Sequence, residues 1–257
     1  MHEVHLVRWG HQMHLLHLLH LMHLLHLMIP WLGPRDPFPP VETALRDPNG
    51  LLAAGGDLTP ERLVDAYRRG IFPWSGDDEP MLWWTPDPRM VLFVSELRIS
   101  RSLRKRIRTA GFTVTADTVF EDVMAGCAEP RPDSDGTWIT DDVAGAYQEL
   151  HRLGLAHSIE TWSGDRLVGG LYGVAIGRMF YGESMFARES DASKLALACL
   201  APQLAHWGFE MIDCQMSTPH LASLGAREIP RSEFVARLQT LTAAPGIPGP
   251  WRLEPFP

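Results

Sequence analysis

Covalent and metal-based staples are scarce in this 257-residue chain. Its three cysteines, Cys127, Cys199 and Cys214, are far apart, odd in number and in no metal-ligand spacing. A disulfide framework is excluded on that pattern, and buried thiols in a reducing compartment, the cytoplasm, are expected. No run of about 20 uninterrupted apolar residues occurs, so no membrane-spanning helix is expected. The phosphate-cradling GxxxxGK[ST] pattern is missing, which argues against a nucleoside triphosphate site. Positive charge is also short: 23 Lys and Arg against 31 Asp and Glu give a net charge of −8. A nucleic-acid partner would therefore have to meet basic residues gathered in one place. Neither a metal nor a cofactor is expected.

Apolar residues make up 45% of the chain and charged ones 21%, enough for one large domain or two modest ones. Nine tryptophans are many for this length. Most read as core, but Trp74, Trp83, Trp84 and Trp138 stand beside Gly and Pro in irregular segments, where pocket lining and core are equally open. Residues 1–35 are read as a His/Leu-rich, low-complexity, disordered extension, with Met28 as an alternative start. Its histidines, His11 to His26, recur every third residue and drift about 60° per step around a helix. They make no convergent metal site and no i, i+4 pair. Histidine also interrupts the apolar run, unlike a signal peptide.

Residues 36–90 read as a small N-terminal α+β domain. Thr59-Pro60-Glu61 starts a helix that Gly70 ends, with Leu63, Ala66 and Tyr67 on one apolar stripe. A loop rich in Pro, Gly and Trp follows, with a strand at residues 81–84. Residues 91–240 form the second domain. Strands are expected at 91–94 and 113–116, and helices at 100–109, 120–128 and from Thr140 to Gly154. A meander of strands follows at 158–162, 166–175 and 178–186, then a helix over 192–207, a strand at 211–215, a short helix begun by Thr218-Pro219, and a helix at 231–240. Three antiparallel strands, a helix and another strand match the acetyltransferase-like (GNAT) α+β architecture, with a mixed, mainly antiparallel sheet. Residues 241–257 are a Pro-rich tail.

Two strands carry polar groups among apolar neighbours, which is costly without a partner or a substrate: Phe180-Tyr181-Gly182-Glu183-Ser184-Met185-Phe186 and Ile212-Asp213-Cys214-Gln215. With Gly70-Ile71-Phe72-Pro73-Trp74, Trp83-Trp84-Thr85-Pro86-Asp87-Pro88-Arg89 and Gly136-Thr137-Trp138-Ile139-Thr140, they resemble the leucyl/phenylalanyl-tRNA–protein transferase family. The resemblance runs from about Phe38 to about Arg237, with five motifs in the family's order, and implies the same acetyltransferase-like fold. It implies an enzyme that moves Leu or Phe, with Met as a further donor, from aminoacyl-tRNA to the N-terminal α-amine of proteins beginning with Arg or Lys. The product would carry an N-terminal degradation signal.

The resemblance places Gln215 at the family's proposed base position. An amide is a poor base, but its carbonyl can accept a hydrogen bond from the attacking amine. A free α-amine titrates near pH 7.7–8.0, so a fair fraction is already neutral near pH 7. Asp213, two residues earlier on a strand, is expected on the same face, orienting Gln215; a polar pair closing a sheet end is the alternative. Glu183 is expected to hold a substrate amine, or else to pair with Arg178 or Arg188. The aminoacyl pocket is assigned to Trp74, Trp138, Phe180, Met185 and Ile212, with Tyr67 and Tyr147 near the rim and Leu200 and Leu204 behind. Arg101, Arg104, Lys105 and Arg108 share one helical face, either a solvated surface or, as the resemblance implies, a dock for tRNA phosphates.

Two rivals remain. An acyl-CoA N-acyltransferase needs a glycine-bearing turn of backbone amides for pyrophosphate at the start of the long helix. Residues 187–192 (Ala-Arg-Glu-Ser-Asp-Ala) lack glycine and carry two acids. A non-catalytic tRNA-binding protein would be favoured by loss of Asp213, Gln215 or Glu183, all of which are present. A monomer is expected.

Overall fold

The computed structural model describes residues 29–76, 79–130 and 137–254. The histidine tract and most of the loop before Trp138 lie outside these residues. Four strands, β1 (Trp31–Leu32), β2 (Leu51–Gly55), β3 (Phe72–Pro73) and β4 (Leu82–Trp84), form one sheet in the order β1-β2-β4-β3. Helix α1 (Pro60–Arg68) lies between β2 and β3 in sequence, with Thr59 accepting from the Arg62 amide and Pro60 in the first turn, as the sequence indicates.

The second sheet has seven strands in the order β11-β5-β10-β9-β8-β7-β6. Its first strand in sequence is β5 (Arg89–Phe93), followed by α2 (Arg101–Thr109), β6 (Phe112–Ala116), α3 (Phe120–Ala128) and α4 (Asp141–Arg152). The meander β7 (Ala156–Ser163), β8 (Arg166–Ile176) and β9 (Met179–Ala187) leads to α5 (Ala192–His206) and β10 (Met211–Gln215). Helix α6 (Pro219–Ser223), β11 (Arg227–Ile229) and α7 (Arg231–Leu241) complete the chain of elements. The β9–β10 pair is parallel and every other pair in this sheet is antiparallel. This is the mixed, mainly antiparallel α+β arrangement of acetyltransferase-like proteins.

Three details lie beyond the sequence reading. Within the stretch assigned to the extension, Ile29 and Leu32 are buried, and β1 pairs parallel with β2. Aliphatic side chains in 29–32 find an apolar partner that composition could not reveal. The proline-rich end is also docked, because Trp251 is buried with its ring 3.6 Å from that of His157, in a parallel stack. Third, a single buried cluster joins Leu52, Tyr67, Phe72 and Trp83 of the first sheet and helix α1 to Val143, Tyr147, Tyr172 and Tyr181 of the second unit. A second cluster on the opposite face holds Leu92, Phe180, Leu200, Leu204 and Ile212. The larger sheet is thus covered on both faces.

Candidate active site

Pairing between β9 and β10 stops at Tyr181↔Asp213, while β9 runs on to Ala187 against β8 alone. The two strands part at that point and a cleft of about 1150 Å³ opens there. It is lined by residues of both core clusters, among them Leu171, Tyr172, Phe180, Met185, Leu197 and Ile212. Trp74, Trp84 and Trp138 also face it, as do Glu183 and Gln215. Ligand pockets commonly occupy roughly 300–1,000 Å³, so there is room for more than one substrate end.

Glu183 is the centre of the polar network. Its Oε1 accepts from the Tyr67 hydroxyl at 2.8 Å and from Gln215 Nε2 at 3.3 Å, and its Oε2 accepts from the Tyr147 hydroxyl at 3.0 Å. Tyr67 and Tyr147 lie 2.5 Å apart, oxygen to oxygen, and both are fully buried. They therefore stand behind the carboxylate, not at the rim where the sequence reading placed them. Helices α1 and α4 bring the phenols together, and a buried phenol takes its hydrogen bond wherever one is available. Burial pushes the Glu183 carboxyl up to about 7, against the tyrosine and Gln215 hydrogen bonds, which act the other way. Burial, with Glu183 close by, also raises both phenols well above their ordinary value. Among the described residues no arginine pairs with Glu183: Arg188 bonds Glu129, and Arg178 sits over the Phe209 ring.

Asp213 does not orient the Gln215 side chain as expected. It is fully buried, and both carboxylate oxygens accept from Arg89, at 2.8 and 2.6 Å. Oδ1 also accepts from the Gln215 backbone amide at 2.9 Å. The register of β10 against β5 shifts between Asp213 and Gln215, and Gln215 has a left-handed φ of 61°. The shift breaks the period-two alternation on which a shared face depended. Asp213 turns into the core while the Gln215 amide reaches Glu183. Asp213 thus governs Gln215 through the backbone.

Of the pocket residues, Trp74, Trp138, Phe180, Met185 and Ile212 line the cleft, whereas Leu200 and Leu204 are buried away from it and Leu197 forms that wall. Residues not anticipated include Leu171, Tyr172, Ser193, Met216 and His220, which come from four different elements or loops and share no sequence signal. Arg89 was missed too, although an arginine directly before the apolar run Met90-Val91-Leu92 was a usable sign. Arg101, Arg104, Lys105 and Arg108 are all exposed on α2, which Ser100 caps, and none lines the cleft.

At the start of α5, Asp191 has a left-handed φ of 66° and its Oδ1 pairs with Lys194 at 2.8 Å, with Glu189 just before it. Two acids at this position disfavour a diphosphate. Fold and cleft together define a transferase built on the acetyltransferase-like plan but without its CoA-binding turn. Residues 91–239 match the model described as leucyl/phenylalanyl-tRNA protein transferase, and residues 56–87 match that of the same family's N-terminal domain. A protein of Thiobacillus denitrificans called leucyl/phenylalanyl-tRNA–protein transferase is 64% identical over 217 residues, 84% of this chain and 95% of that one. A Nitrosomonas europaea protein of the same name is 59% identical over 227 residues, 88% and 96% of the two chains.

The chain belongs to the leucyl/phenylalanyl-tRNA–protein transferase family and is a transferase. Among solved structures, a GCN5-related N-acetyltransferase from Kribbella flavida covers 66% of this chain and 60% of its own at 14% identity and a TM-score of 0.34. L-PGS from Bacillus licheniformis covers 65% of this chain and 53% of its own at 11% identity, with a TM-score of 0.38.

Proposed function

We propose that this protein transfers leucyl, phenylalanyl or methionyl groups from tRNA to the N-terminal α-amine of proteins beginning with Arg or Lys. The modified proteins would thereby gain a degradation signal, and the work would be done by a cytoplasmic monomer. The observation that carries the reading is the Glu183–Gln215 pair at the wall of a large, largely apolar cleft. The amide nitrogen of Gln215 is engaged by Glu183, which leaves its carbonyl to accept from the attacking amine. Glu183, titrating at about 7, is matched to proton traffic at neutral pH.

In the reaction the amine nitrogen bonds to the ester carbonyl carbon, and Glu183 accepts the amine proton. The bond from that carbon to the ribose oxygen then breaks, and the proton passes to the leaving oxygen. The ester is already activated, so orientation and local electrostatics suffice. Leu171, Phe180, Met185, Leu197 and Ile212 would form the dry seat for the aminoacyl side chain. One methylene in such a seat is worth only about 1–3 kcal/mol, so it selects for size without being exclusive. Glu79 at the same cleft suits a cationic acceptor residue.

Transfer of labelled Phe or Leu from charged tRNA to a protein beginning with Arg tests the reading, with acetyl-CoA as a rival donor. Incorporation from tRNA alone is expected, with loss on acetylating the acceptor N-terminus. Gln215→Ala should lower turnover by about 10²–10³-fold, the range for removing one positioned polar group. Incorporation from acetyl-CoA would favour the CoA rival, and tRNA binding without transfer the non-catalytic one.

Helix α2 would hold tRNA phosphates through Arg101, Arg104, Lys105 and Arg108. Replacing all four by alanine should weaken tRNA binding without regard to sequence. It should flatten the slope of log K against log salt by about 3–4, as expected for four lost phosphate contacts. An unchanged slope would place the tRNA elsewhere.

A further inference from the structure

We infer that Arg89 is a positioning residue for the transfer reaction, acting through Asp213 on the backbone of Gln215; this rests on the function proposed above. The guanidinium is fully buried on the first residue of β5. Its Nε and Nη2 bond the two oxygens of Asp213 side-on, and Nη1 donates to the carbonyl of Gly70 at 3.1 Å. The rings of Phe72 and Phe234 each lie 4.7 Å from the guanidinium carbon. Phe72 belongs to the small sheet and Phe234 to α7, so three separate parts of the molecule hold one cation.

The fork and its two aromatic neighbours fix the carboxylate more tightly than a lysine ammonium could, because the planar guanidinium presents two parallel donors and two stacking faces. With both oxygens held by the fork, Oδ1 is left where it also receives the Gln215 amide. That bond supports the left-handed φ of 61° at Gln215, a conformation costly for a residue with a Cβ. From that backbone position the Gln215 side chain reaches Glu183.

Both acids of the site are thereby tied to the end of α1. Tyr67 of its last turn bonds Glu183, and Gly70, which follows it, accepts from the arginine that holds Asp213. The N-terminal unit would complete the active site by setting the geometry of Gln215 and Glu183, without touching the reacting atoms through Arg89.

The experiment compares wild type, Arg89→Met, Arg89→Lys, Asp213→Asn and the Arg89→Lys/Asp213→Asn double variant in transfer from Phe-tRNA. Active sites are counted by tRNA binding, so unfolded protein does not enter kcat. Arg89→Met should lower kcat by about 10²-fold with tRNA affinity within about threefold of wild type, and Arg89→Lys should recover part of that loss. Leaving Asp213 uncompensated near Glu183 should also move the rising limb of the pH–rate profile upward. In the double variant the two losses should not multiply, since both act on one carboxylate.

If Arg89→Met does not fold, the lysine and asparagine variants and their double carry the test alone. Losses that multiply, or a kcat per active site and pH limb unchanged in Arg89→Lys and Arg89→Met, would overturn the assignment and leave Arg89 as a packing residue. No transfer by wild type in the same assay would instead defeat the proposed function itself.

Discussion

Asp213→Ala is expected to abolish measurable transfer and to cost about 3–5 kcal/mol of stability, the range for breaking a buried ion pair on one side. The cost follows from what is left behind: Arg89 would remain fully buried without a carboxylate, held by the Gly70 carbonyl and two aromatic faces. Gln215 would also lose the acceptor of its backbone amide, and with it the support for its left-handed turn. Urea unfolding reads the first effect and turnover per folded molecule the second. Asp213→Asn keeps one acceptor oxygen and should fall between wild type and alanine in both. An alanine variant that unfolds at the wild-type midpoint would mean that Arg89 has found another partner and that the ion pair is not what holds β5 to β10.

Glu183→Gln should change the pH dependence of both rate and stability. Wild-type turnover is expected to rise through an apparent pKa of about 7 as the carboxyl loses its proton and becomes able to accept one from the amine. The amide variant should lose that limb, keep only the acceptor amine's own titration near 7.7–8.0, and turn over at least about 10²-fold more slowly. For stability the sign is the reverse of the usual carboxylate case. The folded-state value is raised from 4.5 to about 7, so the folded chain holds this proton more tightly than the unfolded one. Its contribution is complete below pH 4.5 and is lost as pH rises through 7. Each pH unit between the unfolded and folded values is worth about 1.4 kcal/mol, and partial contact with solvent reduces the effect. Wild type should therefore lose about 2 kcal/mol relative to Glu183→Gln between pH 4.5 and 8. Parallel stability curves for the two proteins over that range would remove Glu183 as the titrating group.

The period-two and period-3.6 patterns, with capping residues and turn glycines, determined most of the elements. The α1 start at Thr59, the β7–β9 meander and the β10 strand are where the sequence puts them. Strands β1, β2, β3 and β11 escaped notice. Two or three residues, as in β1, β3 and β11, carry no period to detect, and only pairing with a neighbour makes them strands. The motifs also named Glu183, Asp213, Gln215 and the five aromatic or aliphatic cleft residues by resemblance. Local sequence could not supply their partners. Tyr67, Tyr147 and Glu183 are 36 to 116 residues apart along the chain, and Arg89 and Asp213 are 124 apart.

The sequence by itself thus determined the architecture, the family and which polar residues sit in costly places. Only the tertiary structure decided what each of them does there. It put the tyrosines behind Glu183 instead of at the rim, and it tied Asp213 to Arg89. A register shift of a single residue in β10 sent two expected neighbours to different partners. The physical reason is that a side chain's identity fixes what it can donate, accept or bury. Its direction follows from backbone register and from charges brought close only when distant segments pack together.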